Sequence, residues 1–160
     1  MKNEITVVVV TYRTDKNILL KCLKSIDNKI KIIIVENSKK FENDNFFKKK
    51  FKNLKIICSG SNLGYGNGNN LGLSKVKTKF ALILNPDAYC SNNFFKKLRN
   101  NISKITNFHL IGCTSSNINK TYPAGYFDTT KNKKFEKIIN SKKLNTIVKV
   151  DWIRGFSIIL

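Results

Sequence analysis

The sequence predicts an α/β domain built on a mostly parallel sheet with helices on its faces. Three observations carry this expectation. Short apolar runs rich in β-branched residues recur at 5–10, 32–35, 54–58 and 80–84, as strands covered on both faces do. Stretches with helical spacing separate them. A polar or Gly-rich segment follows each run, at the strand ends where ligands of such sheets bind.

In chain order, the run at 5–10 reads as the first strand. Thr14 or Asp15 can cap a helix in which Ile18, Leu19, Cys22, Leu23 and Ile26 form the inner stripe and Lys16, Lys21 and Lys24 the outer face. The second strand ends at Glu36-Asn37-Ser38, and a short helix is expected within 39–53 before the third strand. Residues 59–72 read as a Gly- and Asn-rich loop entering a helix that ends near Val76. The fourth strand is stopped by Asn85-Pro86-Asp87, and Ser91 then caps a helix carrying Phe94, Phe95 and Leu98. A fifth strand is expected near 109–113, then loops with room for a hairpin over 114–149. The chain is apolar again toward 160 and stops inside an apolar run.

With 160 residues and 41% hydrophobic composition, the chain suits one folded domain. Thirty basic against ten acidic residues give a net charge of +20. Two readings fit: an anionic partner, or a general abundance of Lys, Asn and Ile. Specific nucleic-acid contacts favour Arg, yet only Arg13, Arg99 and Arg154 occur, so nucleic acid is not expected. Cys22, Cys58, Cys90 and Cys113 form no CxxC pair, and three of them stand in apolar runs. That pattern points to buried reduced thiols and a reducing, cytoplasmic compartment. The run at 5–10 is too short for a signal-peptide core, and no apolar stretch reaches the roughly 18 residues that span a bilayer.

Two constellations carry chemistry. Pro86 ends a buried strand and projects the Asp87 carboxylate from the sheet edge, where it can hold Mg²⁺ or Mn²⁺ bridged to substrate phosphates, or form a plain turn. Residues 61–70, SNLGYGNGNN, place three Gly within five positions. They allow close backbone approach to a ligand, or a flexible loop, and match neither the dinucleotide fingerprint nor the phosphate-binding P-loop. Glu36 at a strand end can accept hydrogen bonds from a ribose or base. His109 stands in an apolar context and reads as a packing residue.

Thr11-Tyr12, Val35-Glu36-Asn37-Ser38, SNLGYGNGNN, LILNPD (82–87) and VDWIRG (150–155) occur in an order that resembles family-2 glycosyltransferases, nearest the rhamnosyltransferase-like branch that builds bacterial surface polysaccharides. The resemblance implies a GT-A fold, a nucleotide diphosphate sugar donor, Mg²⁺ or Mn²⁺, and inversion at the anomeric carbon. It implies that Thr11, Tyr12, Glu36, Asn62, Gly64, Tyr65, Gly66, Asn69 and Asn85 line the donor site. By the same likeness Asp87 binds the metal, Trp152 and Gly155 flank the acceptor side, and within the single domain 1–160 the nucleotide-sugar-binding part would be 1–113 and the start of the acceptor-side part 114–160. A glycan or lipid-linked glycan acceptor follows, with an anionic inner membrane face as a further partner. Arg13 stands where the family usually has Asn, and Glu36 where Asp is usual, which bears on base recognition. The family's general base lies downstream of the VDWIRG-like segment, so the domain is expected to be incomplete at its C-terminus and no catalytic base is expected before Leu160.

Overall fold

A computed structural model describes residues 4–102, 105, 109–113, 115–116, 121–122, 125–126, 152–153, 155 and 157–160. Four parallel strands form one side of the sheet, with β3 at its edge: β1 (Ile5–Thr11), β2 (Lys31–Glu36), β3 (Leu54–Cys58) and β4 (Phe80–Leu84). β1 lies between β2 and β4, with Val8 opposite both Ile33 and Ile83. The helices are α1 (Lys16–Lys24), α2 (Asp44–Lys50), α3 (Gly64–Leu73) and α4 (Phe94–Ile102). The alternation of β1 divides the core. Val7 and Val9 face a cluster containing Leu19, Cys22 and Leu23 of α1, Phe47 of α2, and Phe95 and Ile102 of α4. Val8 and Val10 face the opposite side, with Leu71 and Leu73 of α3 packed against them. Both faces are therefore covered, which is why β1 carries no polar alternation. Each fully buried Val or Leu contributes roughly 1.5–3 kcal/mol.

Beyond β4 the sheet changes direction. β5 (Ile111–Gly112) does not pair with β4. Instead β10 (Ser157–Ile159) lies between them, antiparallel to both, with Ser157 opposite Leu84. The six-stranded order is β3-β2-β1-β4-β10-β5. The room left for a hairpin is filled where β6 (Ser115–Ser116) pairs with β7 (Thr121–Tyr122), and β8 (Gly125–Tyr126) pairs with β9 (Trp152–Ile153). Most of the Lys-rich stretch expected to be loop lies outside the described residues, as does Arg154.

Of the two caps open to α1, Asp15 takes the place: its Oδ1 accepts from the N–H groups of Asn17 and Ile18 at 2.8 and 3.0 Å. Three local expectations are corrected. Ile18 is exposed, because the buried stripe runs through Leu19, Cys22, Leu23 and Ile26 and leaves Ile18 at its edge. His109 is exposed rather than packed. The Gly/Asn stretch is helical from Gly64 and ends at Leu73, short of Val76. Glycine weakens a helix by about 1 kcal/mol per residue, but here close packing on the sheet outweighs propensity. A Cβ at Gly72 would stand 2.4 Å from Val8 Cγ1, and one at Gly68 2.8 Å from Val10 Cγ1.

Candidate functional site

The carboxyl ends of β1, β2 and β4 converge on one edge, and hydrogen bonds link the segments that leave them. The Thr11 hydroxyl donates to Glu36 Oε2 at 2.7 Å, and both residues are buried. Next to them, the Asn37 N–H donates to the Thr11 carbonyl at 2.7 Å. The Asn37 side-chain amide donates to the Gly64 carbonyl at 3.0 Å, joining the strand ends to the start of α3. Ser59, after β3, donates its N–H to the Glu36 carbonyl at 2.9 Å, and its hydroxyl lies close to the Ser61 carbonyl. Glu36 is thus held by its neighbours through backbone and carboxylate alike.

Tyr12 and Arg13 lie at the open side of this edge, both exposed. The Arg13 guanidinium stands 5.4 Å from the Tyr12 ring centroid. Arg13 has φ 51°, a left-handed conformation that costs an ordinary residue roughly 1–2 kcal/mol. Asn tolerates that region better, which gives a backbone reason for the Asn that the related pattern has there.

α3 begins at Gly64, whose φ of 76° suits only glycine well. Asn62 Oδ1 accepts from the Gly64 N–H at 3.0 Å, so Asn62 shapes the entry to the helix. Gly66 has nothing within 4 Å of where a Cβ would stand. Asn69 is buried, donates to the Tyr65 carbonyl at 3.0 Å, and keeps a buried Oδ1 with no partner among the described residues. Asn37 Oδ1 is in the same condition.

The Tyr65 side chain connects the rest. Its hydroxyl is 2.9 Å from Asn85 Oδ1 and 2.6 Å from the Gly155 carbonyl oxygen. Partial burial raises the Tyr65 pKa, and the Asp87 charge adds to the rise, placing that carboxylate within electrostatic reach of the ring. Asp87 itself is exposed in the turn after β4. Among the described residues no three His, Cys, Asp or Glu gather as a metal cluster, and no ion pair there engages Asp87. A lone exposed carboxylate fits Mg²⁺ or Mn²⁺ held largely by water and phosphate oxygens, and it would not suit a closed structural site.

One edge thus gathers Thr11, Tyr12, Glu36, Asn62, Gly64, Tyr65, Asn85, Asp87 and Gly155. Gly66 and Asn69 follow on α3. Trp152 is placed only as backbone of β9, since its side chain lies outside the described residues. Asn37 and Ser59 tie the edge together; both stand in the strand-end segments that the sequence marks as the ligand side, with no individual role expected of either. Their signal was position alone, directly after β2 and β3. Gly68 and Gly72 had a stronger one: with Gly64 they recur every fourth residue, marking one helix face. Behind the site, burial pushes the Cys22 and Cys90 thiols up to about 12, with Cys90 and Asp87 adding at Cys22. Burial raises Cys113 as well, so all three stay protonated and inert. Cys58 is exposed, against expectation.

Residues 6–158 match the family model for glycosyl transferase family 2. The chain belongs to glycosyl transferase family 2. Among solved structures, it resembles S. aureus TarS 1-349 at TM-score 0.56 and 20% identity, over 63% of this chain and 32% of that one. The same TarS segment in complex with UDP-GlcNAc gives TM-score 0.55 at 20% identity, over 63% and 31%. GalNAc-T7 with UDP, GalNAc and Mn²⁺ gives 0.53 at 17% identity, over 59% and 19%. These likenesses show a GT-A glycosyltransferase fold. The chain spans about a third of TarS 1-349. No curated protein matches this family-2 chain by sequence.

Proposed function

We propose that this edge binds a nucleotide diphosphate sugar and serves metal-dependent, inverting transfer of a hexose or deoxyhexose to a growing bacterial surface glycan. The observation that carries the reading is the single hydrogen-bonded network from Thr11 and Glu36 through Asn37 and Gly64 to Tyr65, Asn85 and Gly155. It joins four separate strand-end segments around an exposed carboxylate, at the end of the sheet where α/β folds take ligands. That related structures hold UDP-GlcNAc, or UDP with Mn²⁺, supports the same reading.

In this reading Tyr12 and Glu36 receive the nucleoside, and the first turn of α3 borders the sugar. Asp87 would hold Mg²⁺ or Mn²⁺, whose charge stabilises the departing diphosphate. The acceptor oxygen attacks the anomeric carbon as the bond to the diphosphate oxygen breaks. Among the described residues no helix is long and apolar enough to cross a membrane. A cytoplasmic domain drawn to an anionic inner membrane face, with a lipid-linked acceptor, completes the proposal.

The test is a titration of the folded protein with UDP and GDP, with and without Mn²⁺. Asp87→Ala should erase the gain in affinity that Mn²⁺ brings, with the melting temperature nearly unchanged. Full metal dependence in that variant would remove Asp87 from the metal site. Absence of any nucleotide binding by the parent chain would defeat the donor-site reading as a whole.

A further inference from the structure

Tyr65 lies in the first turn of α3, and its hydroxyl meets two segments 20 and 90 residues away in sequence. A phenol carries one hydrogen, and a backbone carbonyl can only accept. The hydroxyl therefore donates to Gly155, and its lone pair is left for Asn85. Asn85 must meet it with the NH₂ end of its amide, which turns the amide oxygen away from Tyr65. The backbone of Asn85 is anchored separately, its carbonyl accepting from the Ala88 N–H at 3.1 Å and the Cys22 thiol at 3.6 Å. The turn carrying Asp87 is thereby fixed from below by its backbone and from above by Tyr65. The same hydroxyl holds the Gly155 turn, which leads into β10 where Ser157 opposes Leu84.

From this geometry we infer that Tyr65 is a positioning residue: its hydroxyl pins the 152–155 segment to the Asn85–Asp87 turn, so that the acceptor-side and metal-side walls keep one spacing. The functional half of the inference rests on the donor-site reading above; the pin itself does not. On this view the hydroxyl acts on the two walls, and no contact between it and the sugar is needed.

Tyr65→Phe keeps the ring and deletes the pin. Trp152 is the sole tryptophan, so its emission reports on the pinned segment. In ligand-free protein, acrylamide should quench Trp152 more strongly in Tyr65→Phe than in the parent chain, at matched melting temperatures. With ligand, the variant should lose about tenfold of the gain in UDP affinity that Mn²⁺ brings, taken relative to its own affinity without Mn²⁺. Asn85→Asp offers only acceptors to a hydroxyl with one hydrogen, and should reproduce the quenching change. Unchanged quenching in Tyr65→Phe overturns the pin, whether or not UDP binds. Raised quenching with an intact Mn²⁺ gain overturns its coupling to the metal side. If the parent chain binds neither UDP nor GDP, the donor-site reading fails, and the quenching result alone decides the pin.

Discussion

A side chain added at Gly66 would meet nothing within 4 Å, whereas one added at Gly72 would press within 2.4 Å of Val8 Cγ1. The two glycines lie on the same helix and do opposite things. Gly66 leaves space at the mouth, and Gly72 lets α3 sit on β1. Val8 is wholly buried and stiff at χ1, so it has little freedom to yield. Gly72→Ala should therefore destabilise the fold by about 1–3 kcal/mol, as overpacked cores do, measured by urea unfolding. Gly66→Val should leave stability level or slightly higher, since Val is a better helix residue than Gly. It should nevertheless weaken UDP binding by about tenfold, about 1.4 kcal/mol, because only a ligand occupies that space. Equal UDP affinity in Gly66→Val would take Gly66 out of the site. The repeat of glycines was legible in the sequence. Which member faced the sheet was not, because that depends on how α3 is rotated about its axis.

Among the elements, β1, β2 and β4 were readable because their apolar runs are buried on both faces and admit one interpretation, and β3 because its apolar residues continue the pattern at the sheet edge. β10 was not, since a segment as short as Ser157-Ile158-Ile159 reads alike in a parallel or antiparallel partner, and only the return of the chain decides it. The site divides the same way. Strand-end positions located Thr11, Glu36, Asn85 and Asp87, but the bond from Tyr65 to Gly155 spans 90 residues and leaves no local trace. The docking of α4 shows a further link of this kind: Arg99 pairs with Asp27 at 3.1 Å, and Asp27 also accepts from the Lys29 N–H at 3.0 Å. The Lys29 N–H first, and Arg99 with it, hold the Asp27 pKa below its usual 3.8. A carboxylate whose folded pKa is lowered adds stability above its unfolded value, and that stability is lost as pH falls through the folded value. The pair is partly exposed, so its worth is discounted to about 0.2–1 kcal/mol. Asp27→Asn should lower the urea midpoint more at pH 6 than at pH 2.5. An equal loss at both would mean that Asp27 acts through shape rather than charge.

At the scale of the whole molecule the net charge of +20 is the dominant electrostatic fact. Two ion pairs form among the described residues, and exposed lysines stand on several elements, including Lys48, Lys49 and Lys50 of α2 and Lys96 and Lys97 of α4. A cationic surface is drawn to anionic lipid by about 1 kcal/mol for each Lys close to the bilayer. An acceptor carried on a lipid would put this chain at such a surface. Lys131, Lys133, Lys134, Lys142 and Lys143 lie outside the described residues, in the segment between β8 and β9 on the proposed acceptor side. Vesicle co-sedimentation tests the proposal. The chain should bind vesicles containing anionic lipid, bind neutral ones weakly, and lose the difference near 1 M salt, where screening acts within about 3 Å. Replacing those five lysines by Gln should remove most of the binding and leave UDP affinity unchanged, because no residue of the donor site is altered. Equal sedimentation with neutral and anionic vesicles, or none with either, would leave the charge as a feature of composition. Binding that survives the five substitutions would move the contact to the described faces, with the lysines of α2 and α4 as the next to replace.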